Sequence, residues 1–337
     1  KWETTKQTDF GVDFGFFNQR LTGSFDYYYK KTNDILVQTP YIAAMGEGGE
    51  PWVNGASMNN QGVEFTVSFK SDPSSEFQWA VSANIGTYKT ELTDLPSNVI
   101  NKYAGDGVHD LILGRSPNSA YGLVADGIFK TQEEVDAHAD QPGKAVGRIR
   151  YKDLDGDGVI NETYDRTWIG CYDPDFFGGL NFDFAYKGFD LNLFFEGMFG
   201  NDVNSDWKKE SDIWLFTSPA WKNHATRMLG GWSPDNPNSD IPAISNNTAN
   251  QEQRFSSWFI EDGSYIKLRN IELGYTFPTK LIKKMHMSNL RLYAAAYNVF
   301  TLKKFWGDDK YTSFDPERPS YHYLTPFTFN FGINVSF

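Results

Sequence analysis

Asp153, Asp155 and Asp157 alternate with Leu154 and Gly156, and Gly158, Val159 and Asn161 follow. Carboxylates at every second position, with glycine at the sixth, allow a tight turn that points three oxygens at one centre. That donor set suits a hard divalent cation. The backbone carbonyl of Val159 is the expected fourth ligand. The twelfth position is Tyr164, which carries no carboxylate, so the expected last ligand is Asp165 one place later, reached if the loop bulges. The stretch reads as a structural calcium (or magnesium) site bracing a loop, with a solvated acidic turn as the alternative. No helix pair with an apolar groove flanks it, which argues against a calcium sensor.

A second group lies between Asn201 and Arg254, where Trp207, Trp214, Trp221 and Trp232 mix with Asp202, Asp206, Asp212 and Asp235. Indole faces stack on sugar rings while carboxylates bind hydroxyls, so a substrate-contacting role is available. The alternative is that these rings fold the loop onto itself or pack against a partner protein. Nothing points to catalysis. His109, His138, His224, His286 and His322 are scattered, without an HExxH spacing or a G-x-S-x-G elbow. The chain is not expected to be an enzyme.

These groups sit in connections, and the elements that hold them are strands. From Phe327 to Phe337 every odd position is apolar and every even one polar or small. That alternation makes a strand with one greasy and one wet face. Phe10–Phe16, Leu21–Tyr29, Val63–Phe69, Phe77–Ile85, Leu180–Tyr186, Phe189–Phe199 and Ile271–Phe277 repeat it, and Asn289–Phe300 does so more weakly. About nine strands result, of roughly the ten-residue length that crosses a bilayer when tilted. Connections after Phe17, Lys70, Tyr186 and Phe277 are short or moderate, whereas those after Lys31, Tyr88, Gly200 and Thr301 are long. Short turns at one end and long loops at the other mark an outer-membrane barrel. The expected fold is therefore all-β, a transmembrane antiparallel β-barrel whose greasy face meets lipid and whose wet face lines the lumen. Lumen-facing Asp13, Asp26, Glu64, Asp183, Asp190 and Glu196 would mostly serve wall hydration and hydrogen-bonded pairing. Residues 89–175 form a long extracellular loop insertion carrying the acidic turn.

Composition agrees. The 337 residues carry a formal net charge of −12, and no Lys/Arg run suggests a phosphate-tracking patch, so nucleic acid is not an expected partner. One cysteine, Cys171, excludes internal disulfides. No apolar stretch approaches the roughly 18 residues of a spanning helix. A strand count that is odd conflicts with an up-down barrel whose termini both lie inside, which points to further strands upstream.

Several stretches bring a resemblance. WETTKQTDFGVDFGFFNQRLTGSFDYYYKKTNDIL, GRIRYKDLDGDGVINETYDRTWIG, YDPDFFGGLNFDFAYKGFDLNLFFEGMFG, SYIKLRNIELGYTFP and NLRLYAAAYNVF resemble the late-barrel segments of the SusC/RagA family of TonB-dependent transporters. The terminal Phe337 is similar to that family's assembly signal. The resemblance implies the C-terminal part of a barrel of roughly 22 strands plugged from the periplasm, in the outer membrane. It further implies a SusD-like surface lipoprotein closing over the barrel, energy from TonB, and import of oligomers, glycans above all and peptides in some members. The resemblance does not extend to the family's plug domain, TonB box and early strands, so energy coupling is expected from the resemblance alone. A passive porin or adhesin barrel, and a soluble calcium-dependent lectin, are the competing classes.

Overall fold

A computed structural model of the chain describes residues 1–38, 52–97, 99, 111–213, 225–245, 249, 251–303, 314–319 and 323–337. It opens with β1 (Thr4–Phe16), β2 (Leu21–Gln38), β3 (Trp52–Lys70) and β4 (Phe77–Asp94). The first long connection carries the short β5 (Ser119–Leu123), β6 (Ala125–Ile128), β7 (Ile149–Tyr151) and β8 (Arg166–Cys171). After β9 (Phe176–Tyr186) and β10 (Phe189–Phe199), a second connection holds β11 (Asp202–Asn204) and β12 (Ile260–Asp262). The chain closes with β13 (Tyr265–Thr276), β14 (Asn289–Lys303) and β15 (Thr328–Ser336). Nine of these strands make one antiparallel sheet in the order β1-β2-β3-β4-β9-β10-β13-β14-β15. Every sheet strand thus pairs with the next sheet strand along the chain, the up-and-down topology of a barrel wall.

The register carries the alternation across the whole sheet. Phe331 lies opposite Ala294, Ala294 opposite Leu273, Leu273 opposite Leu191, Leu191 opposite Phe184, and Phe184 opposite Trp79. On the other side Val81 faces Phe69, Phe69 faces Leu21, and Leu21 faces Phe16. One face is therefore apolar from edge to edge, and protein does not cover it: Phe331 is 78%, Ile333 66% and Phe10 62% exposed. Exposing so much contiguous apolar surface to water is unfavourable, and lipid is the solvent that suits it. The opposite face pairs polar groups: Ser24 with Thr66 at 2.7 Å, Ser68 with Ser82 at 2.9 Å, and Asn192 with Asp183 at 2.7 Å.

The strands outrun their alternation. β2, β3 and β4 have 18, 19 and 18 residues, where the pattern predicts about ten. Strands expected to give way to loops after Lys31 and Tyr88 therefore run on to Gln38 and Asp94. Beyond the greasy band no lipid dictates the apolar-out rule, so the period-two signal stops while the hydrogen-bond ladder continues. There Val37, Ala56 and Leu92 bury themselves against Leu95, Val99 and Ile112 of the first long connection. The Lys187–Gly188 turn between β9 and β10 has positive φ at both residues (48° and 87°), which suits a two-residue hairpin.

Candidate functional site

The two long connections, far apart in sequence, fold into one body over the long-loop end of the sheet. Its core is Leu123, Ile128, Ile149, Tyr151, Ile160, Ile213 and Phe259. The Leu123 amide donates to the Phe255 carbonyl at 3.1 Å, and the Ala243 amide to the Gly147 carbonyl at 2.9 Å. A buried ion pair locks them: Arg148 donates to Glu252 at 2.7 Å, and both side chains are 7% exposed. The second Glu252 oxygen accepts the Ile149 amide at 2.8 Å, and Arg148 also reaches the Ala243 carbonyl. Burial pushes the Arg148 pKa down, against the pull of Glu252. Buried Gln141 stitches β7 by donating to the Ile149 carbonyl at 2.7 Å and accepting the Tyr151 amide at 3.0 Å.

The acidic turn hangs on this body. A parallel bridge joins Val159 to Asp140, whose amide donates to the Gly158 carbonyl at 2.7 Å. Gly156 and Gly158 take φ of 76° and 86°, values that favour glycine. Asp153 accepts the Gly156 amide at 2.7 Å and the Gly158 amide at 2.9 Å. The Gly158 bond is the main reason its carboxyl lies below the usual range. Asp165, fully buried, accepts the amides of Leu154 at 2.8 Å and Asn161 at 2.7 Å and so closes the turn. Carboxylate oxygens of Asp153, Asp155 and Asp165 lie within 4.8 Å of one another. Although Asp155 accepts the Asp157 amide, local loss of hydration in the turn and repulsion from Asp157 and Asp165 push its pKa up. Asp157 is not in the group of three: its carboxylate accepts the Val159 amide at 2.7 Å. The Val159 carbonyl accepts from the Asn161 side-chain Nδ2 at 3.4 Å. Clustered hard oxygens with lone pairs to spare fit a divalent cation of the calcium or magnesium type.

Of the four tryptophans, Trp214 and Trp221 lie outside the described residues. Trp232 packs on the loop core, against Gly147, where a Cβ would lie 2.7 Å from its ring. Trp207 meets Phe314 edge-on at 4.8 Å. The two described indoles thus each pack against protein on one side.

The wet wall holds a feature that sequence reading missed, namely its cations. Arg291 on β14 donates to Asp190 at 3.1 Å and to Glu272 at 2.7 Å. Arg269, beside a register shift between Leu268 and Asn270, donates to Glu196 at 2.7 Å and pairs with Glu317. Lys267, 4% exposed, donates to Asp315 at 2.7 Å and also reaches Glu317. The last long connection is thereby pinned to the wall at Asp315 and Glu317. The available signal was the position of Arg291 on the wet parity of its strand, whereas Lys267 has the parity of lipid-facing Ile271 and Leu273 and reaches the wet side only through the register shift at Arg269. Their partners in another loop had no local signal.

Residues 1–299 match the family model described as TonB dependent receptor-like, β-barrel. The chain belongs to that family. It is similar to TonB-dependent receptor P3 of Formosa agariphila, with 32% identity over 355 residues covering 100% of this chain and 34% of that protein. To TonB-dependent receptor SusC of Bacteroides thetaiotaomicron it is 27% identical over 346 residues, covering 100% of this chain and 32% of SusC. Among solved structures, the RagAB peptide transporter superposes with a TM-score of 0.77 at 25% identity, over 100% of this chain and 36% of that one. The chain thus spans about a third of the length of these TonB-dependent relatives. Its nine-stranded sheet is outer-membrane barrel wall, and no helix among the described residues is long and apolar enough to cross a membrane.

Proposed function

We propose that this TonB-dependent receptor chain forms wall and extracellular loops of an active importer of polar oligomers, glycans in the first instance. The observation that carries the reading is the two-faced sheet: lipid-compatible aromatics outside, and a wall of paired charges and amides inside. Such a wall offers hydrogen bonds to hydroxyls or amides while its charges neutralise one another. In this reading the loop body faces the exterior and meets a SusD-like lipoprotein, and cargo is captured between them before TonB-driven movement of a plug. The chain's own residues bind and position, and they perform no catalysis. Peptide cargo is the second reading, favoured by the similarity to the RagAB peptide transporter.

The acidic turn belongs to this proposal as a brace. Asp153, Asp155 and Asp165 would hold calcium, stiffening the face that the lipoprotein meets. Native mass spectrometry of the complex extracted in mild detergent tests the transport reading. A co-purifying lipoprotein with masses spaced by a sugar unit supports glycan import. Spacings of amino-acid residues move the cargo to peptides. A species with neither lipoprotein nor cargo overturns the importer in favour of a passive barrel.

A further inference from the structure

We propose that the outward face of β1 and β2, at their long-loop end, binds the phosphorylated headgroup of an outer-leaflet lipid through Lys6 and Lys31. The inference rests on the reading above that this end faces the cell exterior. Lys6 and Lys31 are directly opposite partners in the β1–β2 register. By parity they share the face of Phe10, Val12 and Phe14 on β1 and of Phe25 and Tyr27 on β2. Both are exposed. Like charges directly across a strand pair repel each other, so the arrangement is unfavourable unless an anion sits between them.

The protein does not supply that anion from the described residues around the pair. Register neighbours on the same face are Thr8, Tyr29 and Asn59, none of them a carboxylate. Glu91, across β3 from Lys31, is already paired with Lys89 at 2.5 Å, and Asp34 with Lys1 at 2.7 Å. In a chain with a net charge of −12, two cations facing each other without a carboxylate stand out.

Their height identifies the occupant. Ten residues separate Phe16, at the short-turn end of β1, from Lys6. At about 3.4 Å per residue and a tilt of about 40°, that is a rise of roughly 25 Å, the height of a barrel's apolar band. The two ammonium groups therefore sit where acyl chains give way to headgroups. An ammonium is a point charge suited to phosphate oxygens, and its methylene stem lies comfortably on the aromatic belt below.

The test titrates the intact, detergent-extracted protein with a bisphosphorylated lipid A by native mass spectrometry, with the dephosphorylated lipid and inorganic phosphate as controls. The Lys6→Gln, Lys31→Gln protein is expected to bind lipid A about thirtyfold more weakly, while the Lys6→Arg, Lys31→Arg protein stays within about threefold of the parent. Equal binding by parent and glutamine proteins overturns the site, as does equal binding of phosphorylated and dephosphorylated lipid. Displacement of lipid A by millimolar inorganic phosphate would mean a free-anion site and would overturn the lipid assignment. Orientation is read separately. A Lys6→Cys protein in a Cys171→Ser background should react with an impermeant maleimide on whole cells. Absence of labelling overturns the reading of which end faces outward, whereas labelling without lipid preference removes the lipid site alone.

Discussion

Glu252 has no motif around it, yet it holds the loop body together by answering Arg148 and the Ile149 amide from about a hundred residues away. Replacing Arg148 by Met leaves that carboxylate buried without its guanidinium partner, a loss of about 3–5 kcal/mol. The expected outcome is faster amide exchange across β7 and the core around Leu123, with the sheet unchanged. Adding Glu252→Gln should recover part of the loss, because the isolated charge is gone. Glu317 gives a pH prediction. Burial alone would raise its pKa, but hydrogen bonds from Arg269 and Lys267 outweigh this and hold it below the usual carboxylate value. A depressed carboxyl stabilises the folded form above its unfolded pKa, and this is lost as pH falls through the folded one. Protection of amides near Glu317 should therefore persist at neutral pH and fade only in acid below the range where an ordinary glutamate protonates.

At the scale of the strand, parity decides what a substitution does. Leu193 lies mid-β10 on the lipid face, between Phe182 of β9 and Ile271 of β13. Leu193→Arg should destabilise the folded barrel by about 2–4 kcal/mol in a denaturant titration in lipid vesicles. Ser82 of β4 faces the other way and bonds Ser68 across the strand pair. Ser82→Ala should cost only about 0.5–1.5 kcal/mol, the worth of one hydrogen bond. Equal losses at the two positions would mean that the faces have been assigned the wrong way round. The long strands of β2–β4 make the same point structurally. Where lipid stops selecting residues, parity loses its apolar meaning, and Leu92 buries against the loops although it stands on the wet side.

At the scale of the molecule, the sheet and the loop body are stabilised by different means, lipid and backbone ladder for one and a small buried core for the other. On the proposed calcium brace, removing the ion would separate them. Chelation, or the Asp153→Asn, Asp155→Asn pair, should increase proteolysis of residues 140–165 and lower bound calcium. Strand amide exchange should stay unchanged. Unaltered calcium content in the double variant would refute the brace. Because Asp140 and Asp165 connect the turn to the core, through the Gly158 and Ile160 bonds and the Leu154 amide, loosening should spread toward β7.

The sequence by itself determined the nine strands, their two faces, the short connection after Tyr186 and the spacing of the acidic turn, since each is written in residues within a few positions of one another. Period-two alternation is a local record of two different solvents, lipid and lumen, so it survives being read without coordinates. Only the tertiary structure decided that the two long connections share one core and that Arg148 meets Glu252. It also decided that Lys267 pins Asp315, and how near one another the carboxylates of Asp153, Asp155 and Asp165 lie. The physical reason is that burial pairs groups by proximity in space. A buried charge selects whichever distant carboxylate the fold brings to it, and such a choice leaves no period in the chain.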